Sequence, residues 1–581
     1  MDSSNRRSFK TDSIIANFKK QLIIDNLSGY IIPSTDEYLS EYTPEFAKRL
    51  EYVTGFDGSN GLCFFLKNCG LFFTDGRYLA QAKKQIDLSF FQVFDICQIN
   101  LFPFDEYINN DDKIGYDPKL FTKNTIFPFR NIPLLPYHNL IDKIWQNQPN
   151  KPSSTVYLYP EQYAGESYIN KLKLCRESIA SAAAKYLLIT ATDSICWLLN
   201  LRAHDIEFSP LMLGTVLISM NELYLFTDPA RVEQNVRKAR PEITLLPEES
   251  LAKIITQMDD AILVDEDNTS LFITSLIKNS IHCQDPCQIN KACKNKIEIE
   301  HSIKNHIKDG VALCEFFANL QYLDLKNTTE YDLGQLLILQ RAKQNQYISE
   351  SFPAICGYQE NGAIIHYRAT EKSAKKLTGS GLLLIDSGAQ YLGATTDITR
   401  TISIGTPTPK EINYYTQVLR GHLALSMISF PVGTVGANLD VLARQYLWAD
   451  SLDYAHSTGH GVGSFLGVHE GPVSVSLKSR VQFSLGMILS NEPGYYIDGE
   501  FGIRIENLMY VVEKANNFLK FETLSLVPYA LELIDFNQLS RQELIYLKEY
   551  YHKILSSLYP SLSDKARQWL LKECNPVIDH I

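Results

Sequence analysis

Between residues 380 and 511 the chain sets ionisable side chains into stretches otherwise apolar enough to be buried strands, and this restricts its fold more than any other feature. The segments are LLLIDSGAQYLGATTDITRT, YAHSTGHGVGSFLGVHEGP, MILSNEPGYY and FGIRIENLMYV. In the first, an apolar run reads as a central strand ending at Asp386. A glycine turn follows, and Asp397 arrives eleven residues later on the returning strand, so the two carboxylates converge. In the last, Ile503 and Ile505 alternate with Arg504 and Glu506, which puts the arginine and the glutamate on one strand face. Carboxylates crowded inside a sheet repel one another and are costly to desolvate, so they take up protons or are neutralised by a cation. Four carboxylates with one imidazole suit a pair of fairly hard divalent cations such as Mn²⁺, and the lack of cysteine in the set argues against a structural zinc site.

Rival chemistries lack their signatures. The sequence has no Gly-x-Ser-x-Gly elbow and no His-Glu-x-x-His helix. The segment GHGVGSFLG departs from a dinucleotide-binding loop because Ser464 stands where the third glycine belongs.

A chain of 581 residues exceeds one ordinary core. The run QNQPNKPSST at Gln146 to Thr155, with two prolines and no apolar residue, reads as a linker. Before it, GLCFFLKNCGLFFTD reads as a strand hairpin. After it, AKYLLITATDSICWLLNLRAHD and ELYLFTD echo SGYIIPSTDEYLSEY and LFFTDGRY, with Asp36 to Asp193 spanning 157 residues and Asp75 to Asp228 spanning 153. Two tandem copies of one domain follow from that spacing. A second boundary falls near Cys287 to Lys296, where a helix begins in which Ile299, Ile303, Ile307 and Val311 form a buried stripe while Glu298, Lys304 and Lys308 stay wet. The amphipathic tail beyond Phe521 is expected to pack on the third domain. The expected domains are 1–150, 155–290, 296–520 and 521–581.

A formal charge of -11 argues against a phosphate-tracking nucleic-acid surface. No stretch approaches eighteen apolar residues and no signal-peptide core follows the basic N-terminus, so a cytoplasmic protein without a membrane partner is expected. The eleven cysteines fit reduced thiols, and Cys283, Cys287 and Cys293 lack the partner ligands of a zinc site.

The ordered set Asp, Asp, His, Glu, Glu resembles the metal-binding signature of the pita-bread metallopeptidases, which include methionine aminopeptidase, prolidase and aminopeptidase P (Xaa-Pro aminopeptidase). Carried over position by position, Asp386 matches the terminal aspartate, Asp397 the bridging aspartate, His460 the histidine ligand, Glu492 the terminal glutamate and Glu506 the bridging glutamate. The segments SFPAICGYQENGAIIHYRAT, IDSGAQY, STGHGVGSFLGVHEGP and SNEPGYY resemble the eukaryotic-type, three-domain aminopeptidase P, and FETLSLVPYALELIDF resembles its C-terminal extension. The resemblance implies an α/β (α+β) chain: two tandem creatinase-N-like domains, a pita-bread catalytic domain and a C-terminal extension.

It also implies hydrolysis of the N-terminal Xaa-Pro bond by a water bridging two divalent metals, most readily Mn²⁺, in a homodimer whose partners are peptides with proline at position 2. Glu492 would serve as proton shuttle. His469 is similar to the histidine that supports the tetrahedral intermediate, His366 to one contacting substrate, and His456 to one near the proline subsite. Arg504 would hold a ligand carboxylate rather than substrate. The alternatives are a prolidase, which uses the same ligands on dipeptides, and a non-enzymatic binding module of the same fold. A creatinase-like amidinohydrolase lacks the metal set.

Overall fold

The computed structural model describes residues 3–580; Met1, Asp2 and Ile581, which begin and end the domains expected at 1–150 and 521–581, lie outside the described residues. The chain divides into two compact units. The first comprises Met1–Tyr159, Ser167–Glu207 and Leu211–Cys287, the second Pro160–Glu166, Phe208–Pro210 and Gln288–Ile581.

The first unit holds two six-stranded sheets of one plan. Strands β1 (Gly29–Pro33), β2 (Leu62–Leu66), β3 (Gly70–Thr74), β4 (Phe91–Asp95), β5 (Ile114–Tyr116) and β6 (Leu134–Pro136) lie in the order β4-β3-β2-β1-β5-β6. Strands β7 (Tyr186–Ile189), β8 (Thr215–Ile218), β9 (Leu223–Phe226), β10 (Ile243–Leu246), β11 (Ile262–Val264) and β12 (Ser280–His282) lie in the order β10-β9-β8-β7-β11-β12. In each, the three central strands pair antiparallel and the outer strands add in parallel. The duplication expected from the sequence is therefore present, with β7 starting 157 residues after β1 and β8 153 after β2. In the first sheet Tyr30, Ile32, Cys63, Phe65 and Phe72 fill the core on one face, and Ile31, Phe64, Leu66, Leu71 and Phe73 fill it on the other. Both faces of the three central strands are dry, which is why these strands read as unbroken apolar runs. No helix or strand lies between Ile144 and Tyr157.

The segments Pro160–Glu166 and Phe208–Pro210 lie inside the span expected for the second domain but belong to the second unit. Their backbone carbonyls are taken there, Ala164 O by Asn295, Gln162 O by His301 and Phe208 O by Gln390.

The long helix of the second unit is α1 (Lys296–Leu320), started by a capping box in which Asn295 accepts from the Glu298 backbone and Glu298 from that of Asn295. Its buried face differs from the expected stripe. Ile303 is 39% exposed and Ile299 and Ile307 are half-buried, whereas Glu298, Ser302, Asn305, His306 and Asp309 are buried. The surface that meets this half of the helix is polar: Asp309 takes Arg341 at 2.8 Å and Tyr391 Oη at 3.0 Å. From Val311 onward the buried residues are apolar.

Helix α2 (Glu330–Arg341) leads to a three-stranded antiparallel sheet, β13 (Ile355–Tyr358), β14 (Gly381–Ser387) and β15 (Ile398–Ile404), with β14 central. Helices α3 (Pro409–Met427) and α4 (Gly436–Trp448) follow. A second sheet includes β16 (Ile488–Asn491) and β18 (Asn507–Lys514), and β17 (Phe501–Arg504) pairs separately with Gly494–Ile497. Residues 501–511 are thus two strands rather than the single one the alternation suggested. The break falls at Ile505 and Glu506, whose amides are drawn to Pro493 O and Thr399 O.

The tail forms α5 (Arg541–Leu558) and α6 (Asp564–His580), whose Leu547, Ile554, Leu558 and Leu570 are fully buried in one core with Val311 and Cys314 of α1. Each such side chain contributes roughly 1.5–3 kcal/mol.

Candidate metal centre

Asp386 stands one residue before the end of the central strand β14, directly opposite Thr399 of β15, and Asp397 stands immediately before β15, so both aspartates lie at one end of the sheet. Glu492 follows β16 and Glu506 precedes β18, which pair from Asn491 to Asn507. His460 sits between two glycines because its backbone is wedged: a Cβ on Gly459 would stand 2.0 Å from Ser490 O, and one on Gly461 2.1 Å from Glu470 O. Its Nδ1 lies 2.9 Å from Gly461 O, which makes Nδ1 the donor and leaves the Nε2 lone pair facing the acids.

Ligand atoms of Asp397, His460 and Glu506 all lie within 4.8 Å of one another. His460 Nε2 is 3.5 Å from both Asp397 Oδ2 and Glu492 Oε1. These separations are long for hydrogen bonds and ordinary for neighbouring donors that share a cation at about 2.1 Å. Asp386 Oδ1 and Glu506 Oε1 are buried and accept no hydrogen bond from protein. Buried carboxylate oxygens left open at such a convergence fit a bound cation.

The electrostatics agree. Burial, with the neighbouring acid Asp397, raises the Asp386, Glu492 and Glu506 carboxyls above the usual carboxylate range, Glu506 furthest. Arg504 partly offsets this at Asp386, as do His460 and Arg504 at Glu492. Burial lowers the His460 imidazole, but Asp397 and Glu492 outweigh it and push it up to about 9. Without cations the cluster therefore tends to gather protons. All five expected metal-ligating residues meet here, and the set offers hard oxygen and imidazole donors with no thiolate.

Arg504, 1% exposed, ties the cluster to its surroundings. It donates to Asp386 Oδ2 (2.6 Å), Tyr496 Oη (2.8 Å), Ile365 O (3.3 Å) and Thr399 Oγ1 (3.3 Å), and Thr399 in turn donates to Glu506 Oε2 (2.7 Å). The three further histidines lie around this hub. His456 Nε2 is 2.9 Å from Tyr496 Oη, His366 follows Ile365 in the chain, and His469 stacks edge-on against His460 with ring centroids 4.3 Å apart.

Several contributors escaped the sequence reading. Arg400, buried, donates to Glu506 O, Asn507 Oδ1, Val527 O and Pro528 O, and so fixes the break before β18. Glu470, 3% exposed, faces Lys294 at 2.5 Å and Lys291 at 3.2 Å and steadies the loop that carries His469. The lysines lie in the stretch read as a polar boundary, and nothing local marks them as buried. Tyr496 and Glu470 stood inside quoted motifs, and that was their only signal.

Known proteins resemble this chain in sequence and fold. The pattern of metallopeptidase family M24 matches residues 289–513 and that of its C-terminal region 517–577. The creatinase/prolidase N-terminal domain matches twice, over 15–132 and 147–298. Xaa-Pro aminopeptidase 1 of Dictyostelium discoideum is 35% identical over 95% of this chain and 94% of its own length, and Xaa-Pro aminopeptidase ApepP of Drosophila melanogaster is 34% identical over 95% and 96%. Among solved structures, X-prolyl aminopeptidase from Caenorhabditis elegans, described as a cytosolic enzyme with a di-nuclear active site, superposes with a TM-score of 0.91 at 29% identity, covering 97% of this chain and 99% of its own. Xaa-Pro dipeptidase from Bacillus anthracis superposes with a TM-score of 0.53 at 25% identity and covers 63% of this chain and all of its own.

Proposed function

The chain belongs to metallopeptidase family M24, in its Xaa-Pro aminopeptidase branch, and from that premise we propose that it hydrolyses the bond between the first residue of a peptide and a proline in second position. The observation that carries this reading is the convergence of Asp386, Asp397, His460, Glu492 and Glu506, with two buried oxygens open, in a chain related to aminopeptidases over its whole length. A prolidase is the weaker reading, because the dipeptidase likeness leaves over a third of the chain without a counterpart. A binding module has no need of the complete donor set.

Asp386, Asp397, His460, Glu492 and Glu506 would hold two divalent cations, which would supply the Lewis acidity that activates a water and polarises the scissile carbonyl. The side chains do the rest. Glu492 takes the proton released as the water attacks and passes it to the proline nitrogen, which carries no hydrogen of its own and must gain one to leave. His469, against the metal-binding imidazole, steadies the oxygen that gains charge. His366 and His456 contact the substrate, and Arg504 keeps Asp386 and Glu506 in place.

Hard donors and one imidazole favour Mn²⁺ as the working ion. Protein stripped of metal and reloaded with one ion at a time is expected to take up two Mn²⁺ per chain and to be fastest with it. A higher rate with Zn²⁺ would overturn the choice of ion. The working form is a cytoplasmic homodimer, tested by light scattering at twice the chain mass and by fractionation. No helix among the described residues is long and apolar enough to cross a membrane.

A further inference from the structure

Glu330, the first residue of α2, is completely buried yet has no cationic partner among the described residues. Its carboxylate accepts five hydrogen bonds. Oε1 takes the Tyr358 backbone N–H (2.7 Å) and Asn361 Nδ2 (3.0 Å); Oε2 takes Asn361 Nδ2 (3.1 Å), Tyr367 Oη (2.8 Å) and the Lys375 backbone N–H (2.7 Å). These donors come from both ends and the middle of one segment, residues 358–375, which carries His366. The other side of the segment is pressed on β17, where a Cβ on Gly502 would stand 1.8 Å from Gly362 O, and Ile365 O accepts from Arg504.

A long irregular segment normally pays for its mobility in poorly fixed side chains. This one is closed by a single buried acceptor, and backbone N–H bonds to a carboxylate are among the strong ones. Tyr367 adjoins His366, so its hydroxyl on Glu330 fixes the backbone from which the imidazole projects. We propose that Glu330 is a positioning residue for the hydrolysis, holding His366 at the substrate by clamping residues 358–375 from behind. The inference rests on the functional reading above and adds to it a residue outside the five of the metal cluster.

Every partner of Glu330 is a donor, so only an acceptor on both oxygens satisfies them. Glu330→Gln keeps the shape but turns an NH₂ group against N–H and O–H donors. The test is a cycle on the full, Mn²⁺-loaded chain with Arg-Pro-Pro as substrate, using Glu330→Gln, His366→Ala and the double variant. Glu330→Gln alone is expected to lower kcat/KM by about 10- to 100-fold at unchanged metal content. In the His366→Ala background the same change is expected to cost less than about threefold, because the clamp acts through the residue already removed. Tyr367→Phe, which deletes one donor, gives a smaller fall with the same dependence on His366 and carries the test if Glu330→Gln does not fold. An equal fall in both backgrounds, or loss of metal, would overturn the clamp. An unmodified protein inert towards Arg-Pro-Pro would overturn the functional reading, and the clamp with it.

Discussion

Asparagine in place of Asp397 is expected to lower kcat/KM by on the order of 10³-fold or more, equivalent to about 4 kcal/mol of transition-state stabilisation. Asp397 shares its surroundings with His460 and Glu506, and on the proposed function its charge would be one of four offsetting two dications. The stability response separates this account from simple damage to the fold. In the metal-free protein burial and then Asp397 raise the Glu506 carboxyl, and Asp397 likewise adds to the rise at Asp386 and Glu492. Removing that charge relieves repulsion at three acids and gives up the attraction that raises the His460 imidazole, so the two effects offset and the metal-free variant should unfold close to the temperature of the unmodified protein. The rise in Tm on adding Mn²⁺ should shrink, because stabilisation by a ligand follows its affinity. Metal analysis and paired melting curves check both. A metal-free variant that melts well below the parent would contradict the assignment of Asp397 to the metal cluster.

The second large effect is that of Arg504→Met. A buried guanidinium with four different partners leaves Asp386 without its cation when removed, and loss of one member of a buried pair costs about 3–5 kcal/mol. In the loaded protein the metals supply the missing positive charge, so the cost should be clearly smaller with Mn²⁺ than without. Activity at saturating Mn²⁺ should still fall by about 10- to 100-fold, since the carboxylate is no longer aimed. Arg504→Lys should not restore it, because a single ammonium cannot span the Asp386, Tyr496 and Thr399 positions. Denaturant unfolding with and without metal measures the difference, and equal destabilisation in the two states would contradict it.

The legible part of this chain is what local pattern can carry. The duplication shows in apolar runs at constant spacing, because sheets dry on both faces need such runs. The metal cluster shows because Asp386, Asp397, Glu492 and Glu506 interrupt runs that must be buried, and a buried acid demands an explanation. Tertiary partners are less legible. The stripe through Ile303 failed since the face meeting α1 there is polar, which no periodicity in the helix reveals. The strand through Ile505 breaks because carbonyls of Pro493 and Thr399, distant in sequence or turned by a loop, take its amides. Glu330 looks like an ordinary acidic first turn of a helix, and only the folded segment behind it shows that its five bonds leave no room for water or a cation.

The central claim is tested most directly by incubating metal-stripped, Mn²⁺-reloaded protein with Arg-Pro-Pro, Gly-Pro and Arg-Ala-Ala and following products by mass spectrometry. The account predicts release of free arginine from Arg-Pro-Pro and none from Arg-Ala-Ala. Cleavage of Gly-Pro alone would move the activity to a dipeptidase, and inertness towards all three with every divalent ion tried would contradict the hydrolytic function.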